Sequence, residues 1–184
     1  MRVKSQIMDA AGLDRALMRI SHEILEKNKG TKDLMLVGIK RRGIPIAEII
    51  SENILKIEGV KIECSSVDIS FYRDDLTRLA DQPRLNEDLK LSVEGKTVIL
   101  TDDVIYTGRT VRAAIEAIFA CGRPKAIELA VLIDRGHRQL PIRPDFVGKN
   151  IPTSHTELVE VKLPEYDSDK GVYLMDMTSD RPDA

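Results

Sequence analysis

The chain holds 184 residues, 42% hydrophobic and 32% charged, with a net charge of −2. That length suits one domain with a buried core, and that balance excludes disordered and membrane-embedded classes. Its 28 basic residues are outnumbered by 30 acidic ones and aromatics make up 4%, so bulk composition does not mark a nucleic-acid binder.

Met1 to Ala10 carry no apolar leader core, and no apolar run approaches membrane-spanning length, so a cytoplasmic protein without a membrane partner is expected. Ala11 to Lys27 places Leu13, Leu17, Ile20 and Ile24 at helical spacing. Leu34 to Ile39 is a short apolar strand, and Gly43 to Ile57 reads as a helix with Pro45 tolerated in its first turn. Val60 to Ile69 alternates as a second strand, Val98 to Val104 is a third, Val111 to Ala120 is an apolar-periodic helix, and Ala126 to Ile133 is a fourth strand. Beyond Pro141 the chain is loop-rich, with Pro144 and Pro152, before short strands near Glu157 to Val161 and Val172 to Met175. Thr178 to Ala184 is a polar tail expected to fray. Helices alternating with strands imply one α/β domain over 1–184, a parallel sheet with right-handed crossovers and a small appended lid. Cys64 and Cys121 lack metal or redox spacing and are expected as reduced thiols.

The third strand carries the most chemistry. Val98 to Leu100 run through Thr101 into Asp102 and Asp103, and Thr107-Gly108-Arg109-Thr110 opens the following helix. Carboxylates at the carboxyl end of a parallel strand sit where α/β sheets bind ligands. A Thr-Gly-Arg-Thr turn at a helix N-terminus offers N–H groups and hydroxyls to a phosphate, and Gly108 allows close backbone approach. Acidic pair and phosphate cradle together suit a ribose phosphate. Either alone is equally a solvated turn. After the first strand, Gly38 and Gly43 bracket Ile39 and the cations Lys40, Arg41 and Arg42. That segment is a basic surface turn or an anion loop. The polar stretch Ser70 to Arg78, running on to Pro83, is long for a loop without function.

The strand-to-helix motif resembles the binding motif of type I phosphoribosyltransferases, which use phosphoribosyl pyrophosphate. The resemblance implies a central, mainly parallel sheet flanked by helices, with a small C-terminal hood at about 134–160 and a flexible catalytic loop at about 71–84. It implies that Asp102 and Asp103 bind the ribose hydroxyls and bias charge near the ring, that Val104 and Tyr106 to Thr110 (Thr107, Gly108 and Arg109 among them) hold the 5′-phosphate, and that Lys40, Arg41 and Arg42 form the pyrophosphate loop. Lys40–Arg41 is then the candidate for a non-proline cis peptide. Ser70, Tyr72 and Arg73 would close over the substrate, Arg73 as a catalytic pyrophosphate partner. Mg²⁺ would arrive held by phosphoribosyl pyrophosphate, with no protein metal cage. Purine-using relatives commonly carry aspartate where this chain has Tyr106, so a pyrimidine base is favoured; Tyr106 itself is either a packing residue or a wall of the phosphate loop.

Asp134-Arg-Gly-His-Arg138, followed by Leu140-Pro-Ile-Arg-Pro-Asp-Phe-Val-Gly-Lys149, resembles the hood of the pyrimidine operon attenuation regulators, a branch that couples RNA binding to uracil phosphoribosyltransferase activity. The likeness runs over essentially the whole chain. It implies substrate contact by Asp134, conversion of uracil to UMP and pyrophosphate, and regulation by UMP or UTP. It also implies binding to the leader RNA of the pyrimidine operon through a basic face completed in a homodimer or larger oligomer. Matching positions are Arg15, Arg19 and His22 on the first helix and Arg138, Arg143 and Lys149 in the hood segment, each of which is equally a solvated surface side chain. Two rivals stand beside this expectation: a metabolic phosphoribosyltransferase without an RNA role, and a nucleotide sensor without turnover.

Overall fold

The computed structural model describes residues 1–69 and 91–178. Its element order is β1 (Arg2–Met8), α1 (Ala10–Asn28), β2 (Leu34–Ile39), α2 (Gly43–Glu58), β3 (Glu63–Val67), β4 (Thr97–Ile105), α3 (Arg109–Cys121), β5 (Ala126–Asp134), β6 (Phe146–Asn150), β7 (Glu157–Lys162) and β8 (Gly171–Asp176). Five strands form a parallel sheet in the order β3-β2-β4-β5-β6, and β1-β8-β7 form a separate antiparallel sheet.

The central strands are apolar because both faces of the parallel sheet are covered. Every residue of β2 is buried. Leu34 and Leu36 pack with α1 and α2 on one face, whereas Met35, Val37 and Ile39 pack with α3 on the other. The same alternation sends Ile99 to the first face and Val98 and Leu100 to the second. On α1, the apolar stripe Leu13, Leu17, Ile20 and Ile24 is fully buried, each such side chain contributing about 1.5–3 kcal/mol. Asp9 caps this helix by accepting from the Gly12 N–H at 2.7 Å, and Lys29 ends it in the left-handed conformation. Val159, Val161, Leu163 and Val172 of the small sheet and its connection join the α1/α2 core, which fixes that sheet against the rest of the domain.

Two strands escape the sequence pattern. β1 is largely polar and exposed; it forms because it pairs with β8, Val3 opposite Met175 and Gln6 opposite Tyr173. β6 lies where a loop was expected. Its Phe146-Val147-Gly148-Lys149-Asn150 run is too short to alternate, yet it pairs with β5, and a Cβ on Gly148 would lie 2.4 Å from the Leu132 carbonyl oxygen. The second expected strand shortens to β3.

The topology decides where a ligand can sit. From β2 the chain steps to β3 on one side, then returns to place β4 on the other. The crevice at such a switch point, beyond the carboxyl ends of β2 and β4, is the binding place of open α/β sheets. Two glycines let the β2–α2 loop fold tightly and press onto β4. A Cβ on Gly38 would lie 2.6 Å from the Ile44 Cα, and one on Gly43 would lie 2.3 Å from the Thr101 carbonyl oxygen. The Thr101 hydroxyl donates to the Gly43 carbonyl at 2.8 Å. Gly43→Ala is therefore expected to lower the free energy of unfolding by about 1–3 kcal/mol, read as a reduced urea midpoint; an unchanged midpoint would show that the loop can yield.

Candidate active site

The carboxyl end of β4 carries two neighbouring acids. Asp102 is 7% exposed. Its Oδ1 accepts from the Asp103 N–H at 2.9 Å, and Asp103 Oδ1 accepts from the Val104 N–H at 2.8 Å. Burial, reinforced by the charge of Asp103, holds the Asp102 carboxyl well above its ordinary range. Burial also raises Asp103, against the opposing pull of its hydrogen bonds with Asp102 and the Val104 N–H and of the Arg42 guanidinium.

Beyond the pair the chain turns through Tyr106, Thr107 and Gly108 into α3. Gly108 has φ 92°, a conformation only glycine adopts without strain, and no side chain caps the helix. The Arg109 N–H meets the Thr107 hydroxyl at 3.4 Å. The leading N–H donors of α3 are thus left without a side-chain cap, the condition under which a helix N-terminus can take an anion.

Across the switch point stand the cations of the β2–α2 loop. The Lys40–Arg41 peptide is cis. Lys40 pairs with Asp68 at 3.1 Å, and its N–H donates to the Val67 carbonyl at 3.0 Å. Arg42 donates to both oxygens of Asp167, at 3.1 and 3.0 Å. The loop thus carries three consecutive cations, of which Arg42 lends its charge to Asp103.

The β5–β6 connection closes another side. Asp134 ends β5, and its carboxylate accepts from Arg138 and from the Gly136 N–H at 2.9 Å. Arg138 also donates to the carbonyls of Tyr106 at 2.6 Å and Ile142 at 3.0 Å, which ties this connection to the phosphate turn. Tyr106 is packed as well as placed. The Arg135 guanidinium lies 4.2 Å from its ring centroid, His137 meets it edge-on, and its hydroxyl is 3.4 Å from His155 Nδ1. Buried Arg135 donates to the Ser154 and Glu157 carbonyls and the Thr153 hydroxyl. Arg135, His137, His155 and Asp167 carry no periodic signal in the sequence; only a cation directly after a buried strand hinted at Arg135.

The remaining expected residues divide. Ser70, Tyr72 and Arg73 lie outside the described residues. Arg15, Arg19 and His22 are exposed on α1, which packs on β6, where Lys149 is also exposed. Arg19 joins the two elements by donating to the Val147 and Gly148 carbonyls at 3.0 and 2.7 Å. Arg143 is exposed beside a cleft of about 410 Å³ that Asp134, His137 and Asn150 also line. Arg138 is turned inward onto Tyr106, Ile142 and Asp134, apart from the α1 face.

A carboxyl whose pKa rises on folding binds its proton more tightly in the native state than in the unfolded one. Its stabilising contribution is complete below the ordinary carboxylate range and is lost as pH climbs through the raised native value. Asp102→Asn, uncharged throughout, is therefore expected to raise the urea midpoint at about pH 8 and to gain less at about pH 5. An equal gain at both, or none, would separate the burial of Asp102 from its charge.

Comparison with known proteins agrees with this geometry. Residues 4–166 match the family model for the phosphoribosyl transferase domain. A bifunctional protein PyrR of Clostridium kluyveri is 60% identical over 177 residues, covering 96% of this chain and 100% of the relative. One from Thermoanaerobacter sp. is 57% identical over 175 residues, covering 95% of this chain and 98% of the relative. Among solved structures, a hypoxanthine phosphoribosyltransferase from Trypanosoma cruzi superposes with TM-score 0.72 at 18% identity, covering 94% of this chain and 95% of that one. A hypoxanthine-guanine phosphoribosyltransferase from Bacillus anthracis gives 0.67 at 18%, covering 96% and 99%. At such identities these two establish the fold alone. The chain belongs to the phosphoribosyltransferase family, and within it to the bifunctional PyrR proteins.

Proposed function

We propose that this chain converts uracil and phosphoribosyl pyrophosphate to UMP and pyrophosphate, and that it regulates pyrimidine operon expression by binding leader RNA in response to uridine nucleotides. The observation that supports the enzymatic half is that buried Asp102 and half-buried Asp103 lie between the glycine turn into α3 and a cationic loop, at one topological switch point.

In the reaction a ring nitrogen of uracil forms its bond to the anomeric carbon as the bond to the pyrophosphate oxygen breaks. The nitrogen's proton is released, and positive charge accumulates on the ribosyl ring as in glycoside cleavage. The acidic pair binds the ribose hydroxyls and lies near that charge. Val104 and the turn from Tyr106 through Thr107, Gly108, Arg109 and Thr110 hold the 5′-phosphate. Lys40, Arg41 and Arg42 receive the charge that develops on the leaving group. Catalysis on these terms is positioning and electrostatics. Ser70, Tyr72 and Arg73 are assigned from family resemblance to the segment that excludes water. Asp134, engaged by Arg138, borders the base. Tyr106, stacked by Arg135 and met edge-on by His137, offers no carboxylate to a purine nitrogen, which favours uracil.

Among the described residues no three His, Cys, Asp or Glu side chains converge into a metal cage. Two adjacent carboxylates beside a cationic loop fit an Mg²⁺ ion carried by the substrate's own oxygens. Bound there, the ion supplies neutralising charge to the pyrophosphate.

For RNA, the α1 face with Arg15, Arg19 and His22 and the adjoining Lys149 supply the positive surface. Arg143 extends it, and a homodimer completes it. Arg138 contributes by fixing the connection that carries Arg143. Action in the cytoplasm belongs to the same proposal; no helix among the described residues is long and apolar enough to cross a membrane, which by itself assigns no compartment.

The test is Mg²⁺-dependent pyrophosphate release with uracil, hypoxanthine, guanine and orotate in parallel. Release with uracil alone is expected; release with a purine would overturn the base assignment, and silence with all four would leave a sensor. The RNA face has its own prediction. Arg15→Ala should weaken leader RNA uniformly and lower the slope of log affinity against log salt by about 1, while turnover stays at the wild-type rate. A mobility shift with an unchanged salt slope would remove Arg15 from the interface.

A further inference from the structure

The connection between β7 and β8 reaches across to the cationic loop and grips it twice. Asp167 engages Arg42 with both oxygens, at 3.1 and 3.0 Å. One residue earlier, Tyr166 donates its hydroxyl to the Arg41 carbonyl at 3.3 Å, and the Arg41 guanidinium lies 5.4 Å from the Tyr166 ring centroid. The gripping segment is itself braced. Asp167 Oδ2 accepts from the Leu163 N–H at 3.0 Å, and the N–H groups of Tyr166 and Asp167 donate to the Leu163 carbonyl at 3.0 and 2.8 Å. Leu163 is fully buried in the α1/α2 core. A rigid chain of contacts therefore runs from that core through Asp167 to Arg42, and Arg42 also faces Asp103.

Arg42 has one more feature that bears on ligand. Its Nε–H is buried and finds no acceptor among the described residues. A guanidinium held by one edge on Asp167 keeps that donor unused, and leaving a buried donor unsatisfied is costly unless a ligand meets it. The hold is made by Nη2 alone, shared between the two carboxylate oxygens, and a charge-assisted contact of this kind pins the end of the side chain.

We propose that Asp167, seconded by Tyr166, is a positioning residue for the pyrophosphate end of the site: it presets Arg42 and its loop to receive a magnesium–pyrophosphate group and leaves the nucleotide end untouched. The inference rests on the proposed phosphoribosyl chemistry and assigns to the β7–β8 connection a task in it. Asp167 does not touch substrate. It acts through Arg42, and its loss is felt where Arg42 acts. Without the carboxylate, Arg42 is free to turn to Asp103, and the loop must be ordered anew each time pyrophosphate binds.

The test is calorimetric titration of the full chain with magnesium pyrophosphate and, separately, with UMP. Asp167→Asn keeps the shape of the side chain and removes its charge. It is expected to weaken pyrophosphate about tenfold, with UMP affinity within about twofold of wild type. Asp167→Glu, which can again engage the guanidinium, should recover much of the loss, and Tyr166→Phe should cost less than Asp167→Asn. In turnover the same split appears as a raised KM for phosphoribosyl pyrophosphate at an unchanged KM for uracil. Equal weakening of both ligands would make Asp167 a general structural residue and overturn the proposal, as would unchanged affinity for both. A wild-type chain that binds neither ligand would overturn the underlying assignment and the latch with it, which is distinguishable from failure of the latch alone.

Discussion

Two carboxylates side by side at the end of a buried strand are an expensive arrangement, and the site is organised around tolerating it. Desolvation and mutual repulsion oppose charge on Asp102 and Asp103. The surroundings offset this only in part: backbone donors at Asp103 and Val104 meet one oxygen of each acid, and Arg42 lends a neighbouring charge. The free protein thus keeps two carboxyls whose charged forms are strained, and a ligand that brings hydroxyl donors and developing positive charge relieves that strain. Stability is given up where function needs preorganised electrostatics. Gly38 and Gly43 belong to the same constraint, since the cationic loop can reach the acids only by pressing its backbone onto β4.

Much of this was legible in the sequence because it depends on local chemistry. The runs that became β2, β4 and β5 are apolar for burial on both faces, and the α1 stripe keeps helical spacing, so those elements and the parallel sheet follow from periodicity. The acidic pair lies near the end of a strand, and the Thr107–Thr110 turn and the Lys40–Arg42 loop each follow one, which is why their placement at one sheet edge could be expected. What periodicity could not reveal depends on partners distant in sequence. β1 owes its existence to β8, and β6 to β5 and the missing side chain of Gly148. The same holds within the site. Arg135 under Tyr106, His155 beside its hydroxyl and Asp167 on Arg42 are contacts between segments that no spacing rule connects.

The base side of the site shows how one framework serves different bases. The sheet, the phosphate turn and the cationic loop share their fold with hypoxanthine phosphoribosyltransferases. In this chain Tyr106 and the connection packed around it border that end of the site. A tyrosine braced on a buried arginine is a wall, and Arg138 binds that wall to the segment bearing Arg143 and leading into β6. Because Arg19 of α1 in turn bonds to the Val147 and Gly148 carbonyls of β6, the nucleotide pocket and the basic α1 face are joined through short, packed connections. That continuity gives a physical route by which an occupied pocket can bias an RNA-binding surface.

On the proposed function, the pocket that makes UMP also reads it. The most direct measurement is a leader RNA mobility shift with and without UMP, made on wild type and on a Thr107→Ala, Thr110→Ala double variant that removes two hydroxyls of the phosphate turn. UMP is expected to tighten RNA binding by wild type by at least about fivefold and to have little effect on the variant, while RNA binding without nucleotide stays equal in both. A full UMP response in the variant would place the sensor elsewhere and contradict the account.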